Sequence, residues 1–209
     1  MAPLHTGRVF LNTHSMPQDN VADPRGVRIV LPPIDERASQ RRALDERLFV
    51  RLPALYAVVA ALFLRLPRRS RLRRSLLARR IARAYAAANR RDFELILTGL
   101  DPETEYRPGP DLIAPDQAVV FRGHAGYLEM WRNWLDAFDD LRFDPEEILD
   151  LGDTFLVTAQ QRAHGSGSGI AVHKPVFQLF EVRHGLVVWQ HDYSDQAKAL
   201  EAVGEAAPA

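Results

Sequence analysis

Helical patterns followed by a run of antiparallel strands predict an α+β domain: a curved antiparallel sheet wrapped as a cone around helices. Two observations carry this. Amphipathic helical spacing fills most of the chain up to Phe138. After it, four apolar runs, Leu141–Leu149, Thr154–His164, Ile170–Arg183 and Leu186–Tyr193, are separated only by "LGD", "GSGSG" and "RHG". Such short breaks join strands that pair antiparallel, and "RHG" is tight enough for a hairpin turn.

The elements follow in order. Residues 1–34 mix Pro, Gly, Asn and Asp around one β-like run, "GVRIVLPP", and read as mostly extended or disordered. "DERASQRRALDERLFVRL" (Asp35–Leu52) predicts a helix with Ala43, Leu44, Leu48 and Leu52 as its apolar stripe. Pro53 and Pro67 bracket a second helix. A third runs from Ser70 to Asn89, with Leu72, Leu76, Leu77, Ile81, Tyr85 and Ala88 on one face and Arg on the other. A short helix from Asp92 stops at Gly99, and a strand covers Glu103–Arg107. Pro108–Gln117 is a loop. Tyr127, Trp131, Trp134, Leu135 and Phe138 mark a helix over His124–Phe138. The last helix has Ser194 as N-cap, "DQAKALEAV" as body and Gly204 as stop. The organisation is an N-terminus (1–34), a basic helical extension (35–75) and a cone domain (76–209).

Composition narrows the function. An apolar fraction of 46% with 26% charged residues is globular. There is no Cys, which removes thiolate metal sites and Cys nucleophiles. The N-terminus lacks a secretory pattern, and "ALYAVVAALFL" (Ala54–Leu64) is too short to span a bilayer, so a cytoplasmic protein is expected. His164, His173, His184 and His191 have no metal-ligand spacing. No Ser sits in a nucleophile-elbow context. Zero net charge hides an asymmetry: Met1–Arg91 holds 19 Arg against 6 acids, and Asp92–Ala209 holds 8 Lys or Arg against 21 acids. The basic segment over residues 54–83 has three readings: packing on the acidic body or a dimer mate, peripheral contact with an anionic membrane, or nucleic-acid binding. Missing base-stacking aromatics between Arg65 and Arg80 argue against the last.

"AYAAANRRDFELILTGLDPETEYRP", "FRGHAGYLEMWRNWLDAF", "EILDLGDTFLV" and "FEVRHGLVVWQHDYSDQAKALEAVG" resemble, in order and spacing, the SnoaL-like branch of the nuclear-transport-factor-2-like superfamily over about Ala82–Gly204. The resemblance implies a cone with a small-molecule pocket, as in polyketide cyclases, isomerases, hydrolases and non-catalytic binding domains. It places Tyr85 where ketosteroid isomerases carry an oxyanion donor. Arg107 stands where those enzymes have the base, and the position near Phe177 where they have a second acid, so steroid isomerase chemistry is not expected. It directs Gln190 and Asp192 into the pocket, with Trp189, His191 and Tyr193 outward. Period two makes that division sensitive to a one-residue slip.

Each candidate has a plainer reading beside the sharp one. Asp192 is an acid/base in an apolar pocket or a strand-end carboxylate, and Asp195 is structural in the first helical turn. Tyr85 polarises a substrate oxygen or packs in the core. Arg107 clamps a ligand or makes a surface ion pair. One of Trp131 and Trp134 lines the pocket while the other packs elsewhere. Phe177, Leu179 and Gln190 shape the cavity. The expected function is binding of a small apolar, oxygenated ligand, with cofactor-free acid–base chemistry of cyclase, isomerase or hydrolase type. The alternative is a non-catalytic dimeric scaffold that docks through its basic arm.

Overall fold

The computed structural model describes residues 26–34, 40–109 and 120–206. The expectations for 1–25 and 35–39, and the Pro108–Gln117 loop beyond Gly109, lie outside them. Its elements run β1 (Val27–Val30), α1 (Leu44–Arg51), α2 (Pro53–Leu64), α3 (Arg71–Asn89), α4 (Phe93–Leu97), β2 (Leu100–Arg107), β3 (Phe121–Arg122), α5 (Gly123–Ala137), β4 (Phe138–Asp150), β5 (Thr154–Gly165), β6 (Ala171–Arg183), β7 (Leu186–Tyr193) and α6 (Gln196–Ala206).

One curved sheet holds all seven strands in the order β1-β4-β5-β6-β7-β2-β3. Every pair is antiparallel except β2 with β7. The long strands β4, β5 and β6 form the wall. Helix α3 packs against β4, and α5 against β2, β3 and β4. The main core lies between these helices and the concave face, with Leu77, Leu141, Ile148 and Val157 fully buried. A second cluster lies on the other face of the sheet, where Leu149, Leu156, Phe177 and Leu179 meet Ala199 and Val203 of α6.

Local chemistry explains the element ends. Pro53 starts α2, a position with no backbone donor to satisfy. Asp92 caps α4 by accepting from the Leu95 N–H. His184 and Gly185, both at positive φ (51° and 84°), turn β6 into β7. Gly185 is required a second time. A Cβ there collides with the Ala57 oxygen and the Ala61 nitrogen of α2, so the hairpin seats directly on that helix.

The residues preceding the cone fold onto it. Helices α1 and α2 meet at a bend of 114°. Arg73 bridges Asp150 through two 2.8 Å hydrogen bonds and also donates to the Leu66 and Gly152 carbonyls. Arg42 pairs with Asp92 and Glu94, and Arg90 joins Glu46 to Asp92. Asp45 pairs with Arg83 and, at 3.5 Å, with Arg79.

Several expectations change. Helix α1 begins at Leu44, and residues 40–43 of the expected helix are not helical; Ala43 is its N-cap and the Glu46 carboxylate accepts from the Ala43 N–H. Its orientation is inverted. Leu44, Leu48 and Leu52 are exposed while Glu46 is 5% exposed, because the acids of α1 find Arg partners on α3 and just after it. Leu72 likewise faces outward. The final helix is capped by Asp195, whose Oδ1 accepts from the N–H groups of Ala197 and Lys198, and it runs past Gly204.

Candidate functional site

A cavity of about 350 Å3 occupies the cone. Helices α3 and α5 wall one side, and β2, β6 and β7 the other. Helices α1 and α2 roof it through Phe49, Tyr56, Ala60 and Phe63. Its lining is mainly apolar, the pattern expected for a small-molecule pocket.

Among the polar lining residues, Tyr85, Tyr106, Gln178 and Gln190 centre on Asp192, which is 3% exposed, while Asp45, Glu46, Arg79, Arg80 and Arg83 also border the cavity. Its Oδ2 accepts from the Tyr106 hydroxyl at 2.8 Å and from Gln178 Nε2 at 2.9 Å, and its Oδ1 from Gln190 Nε2 at 2.9 Å. The Tyr85 hydroxyl in turn donates to Gln178 Oε1, which fixes that amide with its nitrogen toward the carboxylate. Asp192 has no cationic partner among the described residues. Burial pushes its carboxyl up to about 6, against the pull of Gln190, Tyr106 and Gln178.

Three tyrosines surround this carboxylate. Burial, reinforced by the negative charge of Asp192, raises Tyr85 and Tyr106 well above the ordinary phenol value. Tyr127 is pushed up to about 12, chiefly by burial. All three therefore stay protonated at neutral pH and act as donors. The buried Trp131 indole N–H lies beside the Tyr127 hydroxyl and opposes the rise of Tyr127. Of these residues, Tyr85, Tyr106, Gln178, Gln190, Asp192, Tyr127 and Trp131 all border the cavity.

A β-bulge makes this arrangement possible. At the hairpin Val182 pairs with Val187, but the next pair is Glu181 with Trp189, so Val188 is an extra residue in β7. Val182 and Val187 face the cavity on one side of the bulge, and Gln190 and Asp192 beyond it. Trp189 and Tyr193 join the second cluster beneath α6.

The bulge also corrects part of the sequence reading. Counting back from "RHG" without it sets Phe177 opposite Asp192; with it, the partner is Gln178. Phe177 and Leu179 therefore lie against α6, not in the cavity, and Gln178, Phe180 and Val182 line it instead. Arg107 is exposed, 3.6 Å from Glu105, and outside the cavity lining. Its neighbour Tyr106 points inward, aligned with Gln190 across the parallel β2–β7 pair. Trp131 and Trp134 both border the cavity, since it is wide enough to meet two residues about 60° apart on α5.

Tyr106, Tyr127 and Gln178 were not among the site residues expected from the sequence. Tyr106 and Gln178 follow from pairing once Asp192 is inward, because paired residues share a face. Tyr127 had helical spacing with Trp131 but no mark separating it from a core aromatic. Among the described residues no group of three or more His, Asp or Glu is placed to hold a metal ion.

Among solved structures, an NTF2-like protein of unknown function from Burkholderia pseudomallei K96243 shares 21% identity, covering 59% of this chain and 93% of that one, with a TM-score of 0.51. Bal32a, from a soil-derived mobile gene cassette, shares 15% identity over 60% of this chain and 93% of its own, with a TM-score of 0.50. Both likenesses concern the fold. No curated protein matches. The SnoaL-like domain family matches residues 81–190, from the middle of α3 to Gln190 in β7, and the chain belongs to that family.

Proposed function

We propose that the chain binds an apolar, oxygenated small molecule in its cone and that Asp192 removes a proton from it. The observation that carries this is a buried carboxylate without a cationic partner among the described residues, held only by neutral donors, in a mainly apolar cavity. Every neighbour that touches Asp192 donates, so the network is complete when Asp192 is ionised. A proton on it weakens these bonds by removing the charge that they stabilise. The resting state is thus a base with a proton affinity close to neutrality, the useful range for general-base catalysis. Oδ1 accepts one bond and Oδ2 two, which leaves Oδ1 the better site for an incoming proton. Negative charge left on the ligand oxygen meets the Tyr127 hydroxyl and the Trp131 N–H, since the Tyr85 and Tyr106 hydroxyls donate to Gln178 and Asp192.

Thermal shift with a panel of hydroxylated aromatic ketones, 1,8-dihydroxyanthraquinone among them, tests the binding. A ligand is expected to raise the Tm of the wild type, and Ala88→Phe, which fills the cavity, to remove the shift. A shift that survives Ala88→Phe places the ligand elsewhere. For a ligand that turns over, Asp192→Asn is expected to lower kcat by a factor of about 10²–10⁴. Unchanged turnover rejects the base assignment.

The completeness of the Asp192 network favours a second reading, a binding domain without chemistry. Under it the same panel gives Tm shifts but no product from any ligand.

A further inference from the structure

We propose that the outer face of α1 and α2 docks on an anionic lipid surface. Of the eleven exposed large hydrophobic residues among the described residues, eight lie between Leu44 and Leu72. Helix α2 has no charged residue in its twelve positions. One of its stripes, Tyr56, Ala60 and Phe63, roofs the cavity; another, Leu55, Val58 and Leu62, faces outward. Helix α1 continues that surface: its acids turn inward to arginines, and its leucines turn outward, Leu44 being 83% exposed. An amphipathic helix oriented this way has no use for its apolar face within the fold.

Charge identifies the occupant. The apolar segment is bracketed by exposed Arg47 and Arg51 before it and Arg65, Arg69 and Arg71 after it. None of these five makes an ion pair among the described residues. A second copy joined through this face by a two-fold axis sets arginine-rich surfaces against each other. Anionic headgroups neutralise the arginines while the outward leucines and valines enter the acyl boundary. Among the described residues no single helix is long and apolar enough to cross a membrane, and the pair α1 and α2 is bent by 114°, so the contact proposed is peripheral. Val59 belongs both to the exposed stripe and to the cavity lining, which sets the roof's edge at the lipid surface.

Co-sedimentation of the full chain with vesicles of phosphatidylcholine and phosphatidylglycerol (1:1) tests this, with phosphatidylcholine vesicles alone as the neutral arm. The wild type is expected to pellet with the anionic vesicles, at least tenfold more weakly with the neutral ones, and to be partly released by 0.5 M NaCl. Val58→Glu with Leu62→Glu, both at exposed positions, is expected to lower anionic binding at least tenfold with an unchanged far-UV spectrum. Equal recovery in the supernatant with and without anionic vesicles overturns the proposal, as does full binding by a folded double variant. A dimer in light scattering that the double variant converts to a monomer, without vesicle binding, assigns the face to a second copy and also overturns it.

Discussion

Asp150 and Asp192 are buried to nearly the same extent, and their surroundings differ completely. Asp150, at the end of β4, is 0% exposed and held by the Arg73 guanidinium through two hydrogen bonds. Asp192, near the end of β7, is held only by two amides and a phenol. Arg73 neutralises Asp150 and ties the segment before the cone to its wall, so that carboxylate is a clamp. Asp192 has no counter-ion, and burial leaves its proton affinity near neutrality. A buried charge with a cation beside it holds structure; one without is available for chemistry.

The comparison can be broken at either end. The largest effect belongs to the clamp. Arg73→Met leaves Asp150 buried and unpaired, and is expected to cost about 3–5 kcal/mol in urea unfolding. A loss below about 1 kcal/mol removes the distinction drawn here.

Next comes the pH response of Asp192. Its folded value, about 6, lies above the ordinary 3.8. Its stabilising contribution is therefore fully present below about pH 3.8 and is lost as pH rises through about 6, a change of roughly 3 kcal/mol. Urea curves at pH 4.5 and 7.5 are expected to show this slope in the wild type and not in Asp192→Asn, the difference between the two isolating this group. Parallel pH profiles contradict it.

Tyr106→Phe sharpens the assignment. It removes one donor from Oδ2, is expected to cost about 1–2 kcal/mol at pH 7, and moves the Asp192 midpoint upward because the ionised form loses support. Carboxyl NMR titration reads the direction. Smallest of all is Arg107→Ala, which breaks an exposed ion pair and is expected to change stability by less than about 0.5 kcal/mol without moving the Asp192 midpoint.

Residue by residue, the sequence was informative where one local rule decided the outcome. Pro53 and Pro67 enclosed α2, apolar spacing located α3 and α5, and the short breaks after Leu149 and Arg183 located the strands. Asp192 stood out because a polar residue near the end of an apolar strand matched the family's pocket position. What escaped depended on one-residue parity or on distant partners. Phe177 and Leu179 were placed in the cavity from the family's position on β6, one residue from Gln178 and Phe180, which face it. Arg107 was chosen because it stands before Pro108 at the family's base position, but its neighbour Tyr106 is the residue that borders the cavity. Helix α1 was oriented backwards because Asp45 and Glu46 find their arginines 34 to 44 positions further along. Propensity and periodicity carry no record of such pairs.

The bulge at Val188 also bears on how a pocket of this kind changes over generations. Beyond it, the pairing of one residue decides which side of β7 lines the cone. Deleting Val188 turns the bulge into a regular ladder and leaves every later pair intact, so Gln190 and Asp192 stay inward. Pairing Val188 with Glu181 at unchanged length instead moves each later residue of β7 one place along β6 and turns Trp189, His191 and Tyr193 toward the cone. A point substitution alters one wall group at a time, whereas such a re-pairing replaces the whole set. Chemistry in such a cone can therefore diverge by a change in strand pairing as well as by a change in letter.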